Sequence, residues 1–149
     1  MKQRIDLPIH DPQIIAQLIP HRAPMVLVDG LMAFDEISAV TSFKVAEDHI
    51  ATIRGAISET GLLEHMAQSV AVHTGYKGFS EGKTPRIGYV GAIKTAEIKH
   101  LPTVGETIMT EVTITYSAME MTMVTVVSKV EELVIASAEM STMLKPLDT

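Results

Sequence analysis

Between Thr60 and Tyr76 the chain places Leu63, Met66, Ala67, Val70, Ala71 and Thr74 at helical spacing and carries a single formal charge, Glu64. A helix with no charged face has to be buried on most sides. The residues after it can do the burying. Ile108, Thr110, Val112, Ile114 and Tyr116 fall on one face of a strand, and Val124, Val126, Ser128 and Val130 on one face of the next. Val134, Ala136, Ala138, Met140, Thr142 and Leu144 complete a third strand, and Arg86 to Ile98 reads as a further one, so at least four strands follow the helix. One buried helix and a long antiparallel meander imply an α+β domain with the sheet wrapped against the helix. The 149 residues, 46% of them apolar, suffice for one such core, and residues 1–149 read as one domain.

The N-terminal part is less regular. Asp11-Pro12 followed by Ile14, Ile15, Leu18 and Ile19 predicts an N-cap, a proline in the first turn and a short amphipathic helix, ended by Pro20. The apolar run Met25–Val28 before Asp29-Gly30, and the alternating stretch Ala39–Val45, predict two strands and a hairpin. Ala46 to Ser58 has no clear period and reads as a loop into the central helix, which Glu59 or Ser58 can cap.

Composition excludes several classes. With a formal net charge of −6 the chain lacks the basic excess of a nucleic-acid surface. Without cysteine there are no disulfides, thiolate metal sites or thiol nucleophiles. No apolar run reaches the roughly eighteen residues of a membrane span, and the start lacks a secretory h-region, so a cytoplasmic protein is expected. His65 and His73 do not stand at a metal-ligand spacing, and neither metal nor cofactor is expected. Ten methionines would give a deformable interior suited to a flexible chain, or would simply fill gaps in the core.

Three segments resemble, in order, the FabA/FabZ-type 3-hydroxyacyl-[acyl-carrier-protein] dehydratases. Ile19 to Asp29, reading IPHRAPMVLVD, resembles the entry motif L-P-H-R-x-P-x-L-L-V-D. Leu63-Glu64-His65-Met66-Ala67-Gln68 resembles the L-E-x-M-A-Q of the central helix, where the glutamate is catalytic. Gly91 to Pro102, continuing through Val104-Gly105-Glu106, resembles the strand and turn that follow. The stretch Asp48 to Thr60 departs from the family loop G-H-F-P-x-x-P-x-x-P-G, which supplies the catalytic histidine; it is shorter and contains no proline. In this it is closer to the ApeP-like branch associated with aryl-polyene pigments. The resemblance implies a hotdog fold, dehydration of acyl chains on acyl carrier protein, and a dimer, either of two copies or with a dehydratase paralogue, whose acyl tunnels run between subunits. It also implies that Arg86, Lys94 and Lys99 flank the tunnel mouth and receive the carrier protein; a solvated strand face would look the same.

Dehydration of a 3-hydroxyacyl thioester needs a base for the α proton, an acid for the leaving hydroxyl and polarisation of the thioester carbonyl. On so uncharged a helix Glu64 is expected to be partly desolvated, which favours its protonated form and suits a general acid. As a plain alternative, it is an acid of the first turn stabilising the helix dipole. Gln68, one turn on, can orient its carboxyl, and the backbone at Gly61 and Leu62, near the helix N-terminus, is a natural place for the carbonyl. His49, in the loop before the helix, is the first candidate for the base and His21 the second. In the family the histidine and arginine of H-R-x-P mainly fix the turn into the first strand. Two other readings compete: a weakly active or non-catalytic subunit of a heterodimeric dehydratase, and a hotdog acyl thioesterase.

Overall fold

A computed structural model describes residues 5–83 and 88–144. Helix α1 (Pro12–Leu18) opens as its sequence predicts: Asp11 caps it by accepting from the Gln13 N–H, and Pro12 occupies the first turn. Strands β1 (Gly30–Asp35) and β2 (Ser38–Lys44) form the expected hairpin, but displaced. Met25–Val28 is not a strand, and Gly30 lies inside β1 rather than in the turn. Side chains of the central helix take up the Met25 carbonyl and both backbone groups of Leu27, and His49 takes the Val26 carbonyl, so that segment has no need of a neighbouring strand. The stretch after β2 is not wholly irregular. It folds into a small ribbon, β3 (Thr52–Ile53) with β4 (Ala56–Ile57), turned by Arg54 and Gly55, both at positive φ.

The central helix α2 (Glu59–Ser80) is capped by Ser58, whose hydroxyl accepts from the Gly61 N–H. Around it curls a six-stranded antiparallel sheet of order β1-β2-β6-β7-β8-β5, with β5 at Gly88–Ile98, β6 at Thr107–Ala118, β7 at Met121–Val130 and β8 at Leu133–Leu144. Leu62, Met66 and Val70 of α2 pack against Ile108 and Val112 of β6 and Val124 and Val126 of β7. Each such side chain contributes about 1.5–3 kcal/mol by leaving water. This is the helix-in-sheet arrangement that the resemblance implies.

The alternation read from the sequence fails at the far end of β6. Ile108, Thr110 and Val112 are buried, but a register shift between Ile114 and Tyr116 turns Tyr116 to solvent, where it is 55% exposed. At the other end of α2, Gly75 is required by close approach: a Cβ there would stand 1.8 Å from the Leu18 carbonyl oxygen. That contact seats the C-terminal end of α1 directly on the central helix.

Candidate active site

Residues 21–27 pass over the first turns of α2, and three helix side chains receive them. Gln68 accepts from the Leu27 N–H at 2.8 Å and donates to the Met25 carbonyl at 2.8 Å. From the neighbouring position His65 donates through Nδ1–H to the Leu27 carbonyl at 2.6 Å. Glu64 lies on the same side of the helix, and Gln68 also donates to its Oε1 at 3.2 Å, one turn away.

His21 is brought to this carboxylate. Its Nε2 stands 3.5 Å from Glu64 Oε1, and its Nδ1 is buried without a hydrogen-bond partner among the described residues. Arg22 fixes the turn beside it, its guanidinium donating to the carbonyls of Ile19 at 2.9 Å and His21 at 2.7 Å. The expected desolvation of Glu64 is not found within this chain, where its side chain is 40% exposed and that of His21 29%. Between Thr60 and Tyr76 the helix carries no other formal charge, since most of its remaining surface there is buried. The Glu64 face is the one left open.

His49 is engaged differently. Nδ1 accepts from the Ala51 N–H at 3.0 Å, so the proton resides on Nε2, which donates to the Val26 carbonyl at 2.9 Å. Both ring nitrogens are therefore bound to backbone, and the ring lies edge-on to Phe43. His49 holds the loop against residues 25–27, while His21 faces the carboxylate.

The N–H groups of Gly61 and Leu62 are not free to receive a carbonyl. Gly61 donates to the Ser58 hydroxyl at 3.0 Å and Leu62 to the Ser58 carbonyl at 2.9 Å, and both residues are buried. Capping has taken the donors that the sequence assigned to substrate. Lys94 and Lys99 are exposed on and just after the edge strand β5, and Arg86 lies outside the described residues.

Beneath the site runs a buried polar chain that sequence reasoning missed. His65 Nε2 accepts from Thr110 at 2.7 Å, and the Thr110 hydroxyl in turn lies 2.7 Å from that of Ser128. Ser69 donates to the His65 carbonyl at 2.8 Å and stands 2.6 Å from the Thr41 hydroxyl. Burial drives the affinity of His65 for protons down, to a pKa of about 4, so this imidazole is a neutral strut. Burial lowers the pKa of His73 as well; it donates to the Asp35 carbonyl and stacks on Phe34. Among the described residues no group of three or more His, Cys, Asp or Glu could hold a metal, and no helix is long and apolar enough to cross a membrane.

Comparison with known proteins places this geometry. The dehydratase heterocomplex ApeI:P from Xenorhabdus doucetiae contains a chain that superposes with a TM-score of 0.78 at 15% identity, covering 89% of this chain and 91% of that one. PaaI of the phenylacetic acid degradation operon of E. coli superposes at 0.62 with 11% identity, covering 76% and 80%. A hypothetical thioesterase of Streptococcus pneumoniae with coenzyme A superposes at 0.58 with 8% identity, covering 80% and 87%. At these identities the structures share the hotdog fold, and no curated protein matches the sequence. The model of the ApeP-like family, described as ApeP dehydratase, matches residues 13–148, and the chain belongs to that family of hotdog dehydratases.

Proposed function

We propose that the chain removes water from a 3-hydroxyacyl thioester carried by acyl carrier protein to give the trans-2-enoyl thioester, with Glu64 and His21 as its acid–base pair. The observation that carries this reading is the 3.5 Å approach of His21 Nε2 to Glu64 Oε1, together with the absence of any hydrogen bond fixing the tautomer of that imidazole among the described residues. His21 takes the α proton and Glu64 protonates the departing hydroxyl. The C–H and C–O bonds break, the double bond forms, and one water leaves. Imidazole exchanges protons near neutrality, and Gln68 steadies the carboxyl that must give one up. His65 and His49, each bonded to backbone, hold residues 25–27 and with them the strand of chain that bears His21.

Family membership supports the reaction class, and the carrier protein follows from the resemblance. Lys94 and Lys99, exposed at the edge strand, are the described cations we assign to docking that acidic partner. The absence of a membrane-spanning helix among the described residues is compatible with a cytoplasmic enzyme.

A second arrangement is supported by the heterocomplex whose fold this chain shares: pairing with a dehydratase paralogue in place of a second copy. The test is to incubate the chain, alone and with a paralogue, with 3-hydroxyacyl carrier protein and follow the acyl group by mass spectrometry. Loss of one water supports the dehydratase, and release of free acid would replace it with a thioesterase. Product formed only with the paralogue selects the heterodimer.

A further inference from the structure

Four of the ten methionines gather at one corner of the sheet, where β6 turns into β7 and β8 runs alongside. Along β7 the residues Val124, Val126 and Ser128 are buried against the core, so Met121 and Met123, two apart on the same strand, share the outer face. In β8 Ala138 and Met140 face the core, which places Met143 on that outer face too, directly opposite Met121 in the antiparallel pair. Opposed positions hold their Cβ atoms about 4.5–5.5 Å apart, and positions two along a strand about 7 Å. Methionine is long, unbranched and adaptable, so three thioether sulfurs can converge on one point above these backbones. Met119 closes the hairpin in the left-handed region, at φ 56°, and is fully exposed two residues from Met121, where it can supply a fourth sulfur.

Burial does not account for this cluster. The same face carries Thr125 next to Met123 and Glu139 and Ser141 before Met143, as expected of a sheet side turned to water, and Met143 is 37% exposed. Thioether sulfur is a soft, uncharged donor suited to Cu(I), whereas magnesium and calcium take carboxylate and carbonyl oxygens and zinc takes imidazole or thiolate. We propose that Met121, Met123 and Met143, with Met119 as a fourth ligand, bind one Cu(I) ion on the outer face of the sheet. The ligands hold no proton to displace, and the ion keeps its charge and oxidation state on binding. Glu139 lies on the same face but stands opposite Lys94, so selectivity rests on the sulfurs rather than on local charge. The site lies across the sheet from α2 and is independent of the proposed dehydration.

The test titrates the full chain with Cu(I) under anaerobic, reducing conditions against a chromophoric Cu(I) chelator, and follows isotope-labelled methionine methyl groups by NMR. The native chain should withdraw one equivalent of copper from the chelator, and of its ten methyl signals those of Met119, Met121, Met123 and Met143 should move. Met121→Leu and Met143→Leu keep the apolar bulk and remove the sulfur. Each should weaken binding by at least about tenfold, and the two together should abolish it. Met109→Leu, on the outer face at the other end of β6, should change nothing. If either substitution disturbs folding, the methyl shifts of the native chain still decide. No withdrawal of copper overturns the site. So does binding that both leucine variants retain with shifts confined to histidine rings, which would assign the metal to imidazoles, and so does zinc held as tightly as Cu(I).

Discussion

His49 and Val26 are joined by a 2.9 Å hydrogen bond from the imidazole Nε2–H to the backbone carbonyl, and the other ring nitrogen is held by the Ala51 N–H. A ring bound in this way cannot accept a proton without losing the Ala51 bond. His49→Ala is therefore expected to act mainly on stability, by about 1–3 kcal/mol for the backbone groups left unpaired, with kcat changed less than tenfold. His21→Ala should leave the unfolding midpoint nearly unchanged and lower the dehydration rate by about a hundredfold or more. Urea unfolding and single-turnover dehydration of the two variants decide between them. The opposite pattern would return the base to His49.

Glu64→Gln keeps the size of the side chain and a carbonyl oxygen for Gln68 to donate to, but removes the transferable proton. The variant should fold and bind saturated thioesters as the native protein does, while its rate falls by at least about a hundredfold. Native-like turnover would take Glu64 out of the mechanism. Loss of folded protein would make it a structural acid of the first turn.

The sequence showed the wrapped helix with Glu64 on it and the four long strands that follow, because each rests on a periodicity carried by neighbouring residues. Which histidine faces that carboxylate was not legible. The choice depends on backbone partners distant in sequence: Val26 for His49, Leu27 for His65. Met25–Val28 looked like a strand because it is apolar, yet its hydrogen bonds go to Gln68, His65 and His49. One signal was present. His65, Gln68 and Ser69 on an uncharged helix are polar groups that must find partners when buried, and those partners are the segment and strand laid against them.

Burial lowers the pKa of His65 from 6.5 to about 4, so between these pH values the unfolded chain binds a proton that the folded chain does not. Stability is full above about pH 6.5, falls as the pH drops through the window, and levels off below about pH 4. The loss from this residue is about 3 kcal/mol, and His73, lowered by burial too, adds to it in the same direction. Urea titrations at pH 7 and pH 5 should show the difference. His65→Gln, which keeps a donor for the Leu27 carbonyl, should flatten the slope even if it lowers stability at both pH values. A slope unchanged by that substitution would mean that other groups cause the acid sensitivity.

The last prediction concerns assembly. Strand β5 closes one edge of the sheet, pairs among the described residues only with β8, and leaves every residue from Gly91 to Glu97 exposed, with Ile93 44% exposed. A strand with one face on a core shows alternating burial; between Gly91 and Glu97 this one does not, and of its described residues only Val90 and Ile98, at the two ends of that stretch, pack against the core. A bare edge with an apolar residue on it invites pairing, and the bulge between Lys94 and Glu97 disturbs its middle without removing it. We therefore expect a dimer joined through β5, by two copies or by one copy and a paralogue. Light scattering at micromolar concentration should give twice the chain mass, or the mass of the mixed pair when the paralogue is present. Ile93→Lys, which puts a charge on that edge, should shift the dimer toward monomer and lower activity in proportion, while leaving the helix content unchanged. A native monomer that dehydrates 3-hydroxyacyl carrier protein at full rate would show that the Glu64–His21 site of one subunit is sufficient and that β5 is covered by something other than a second hotdog chain.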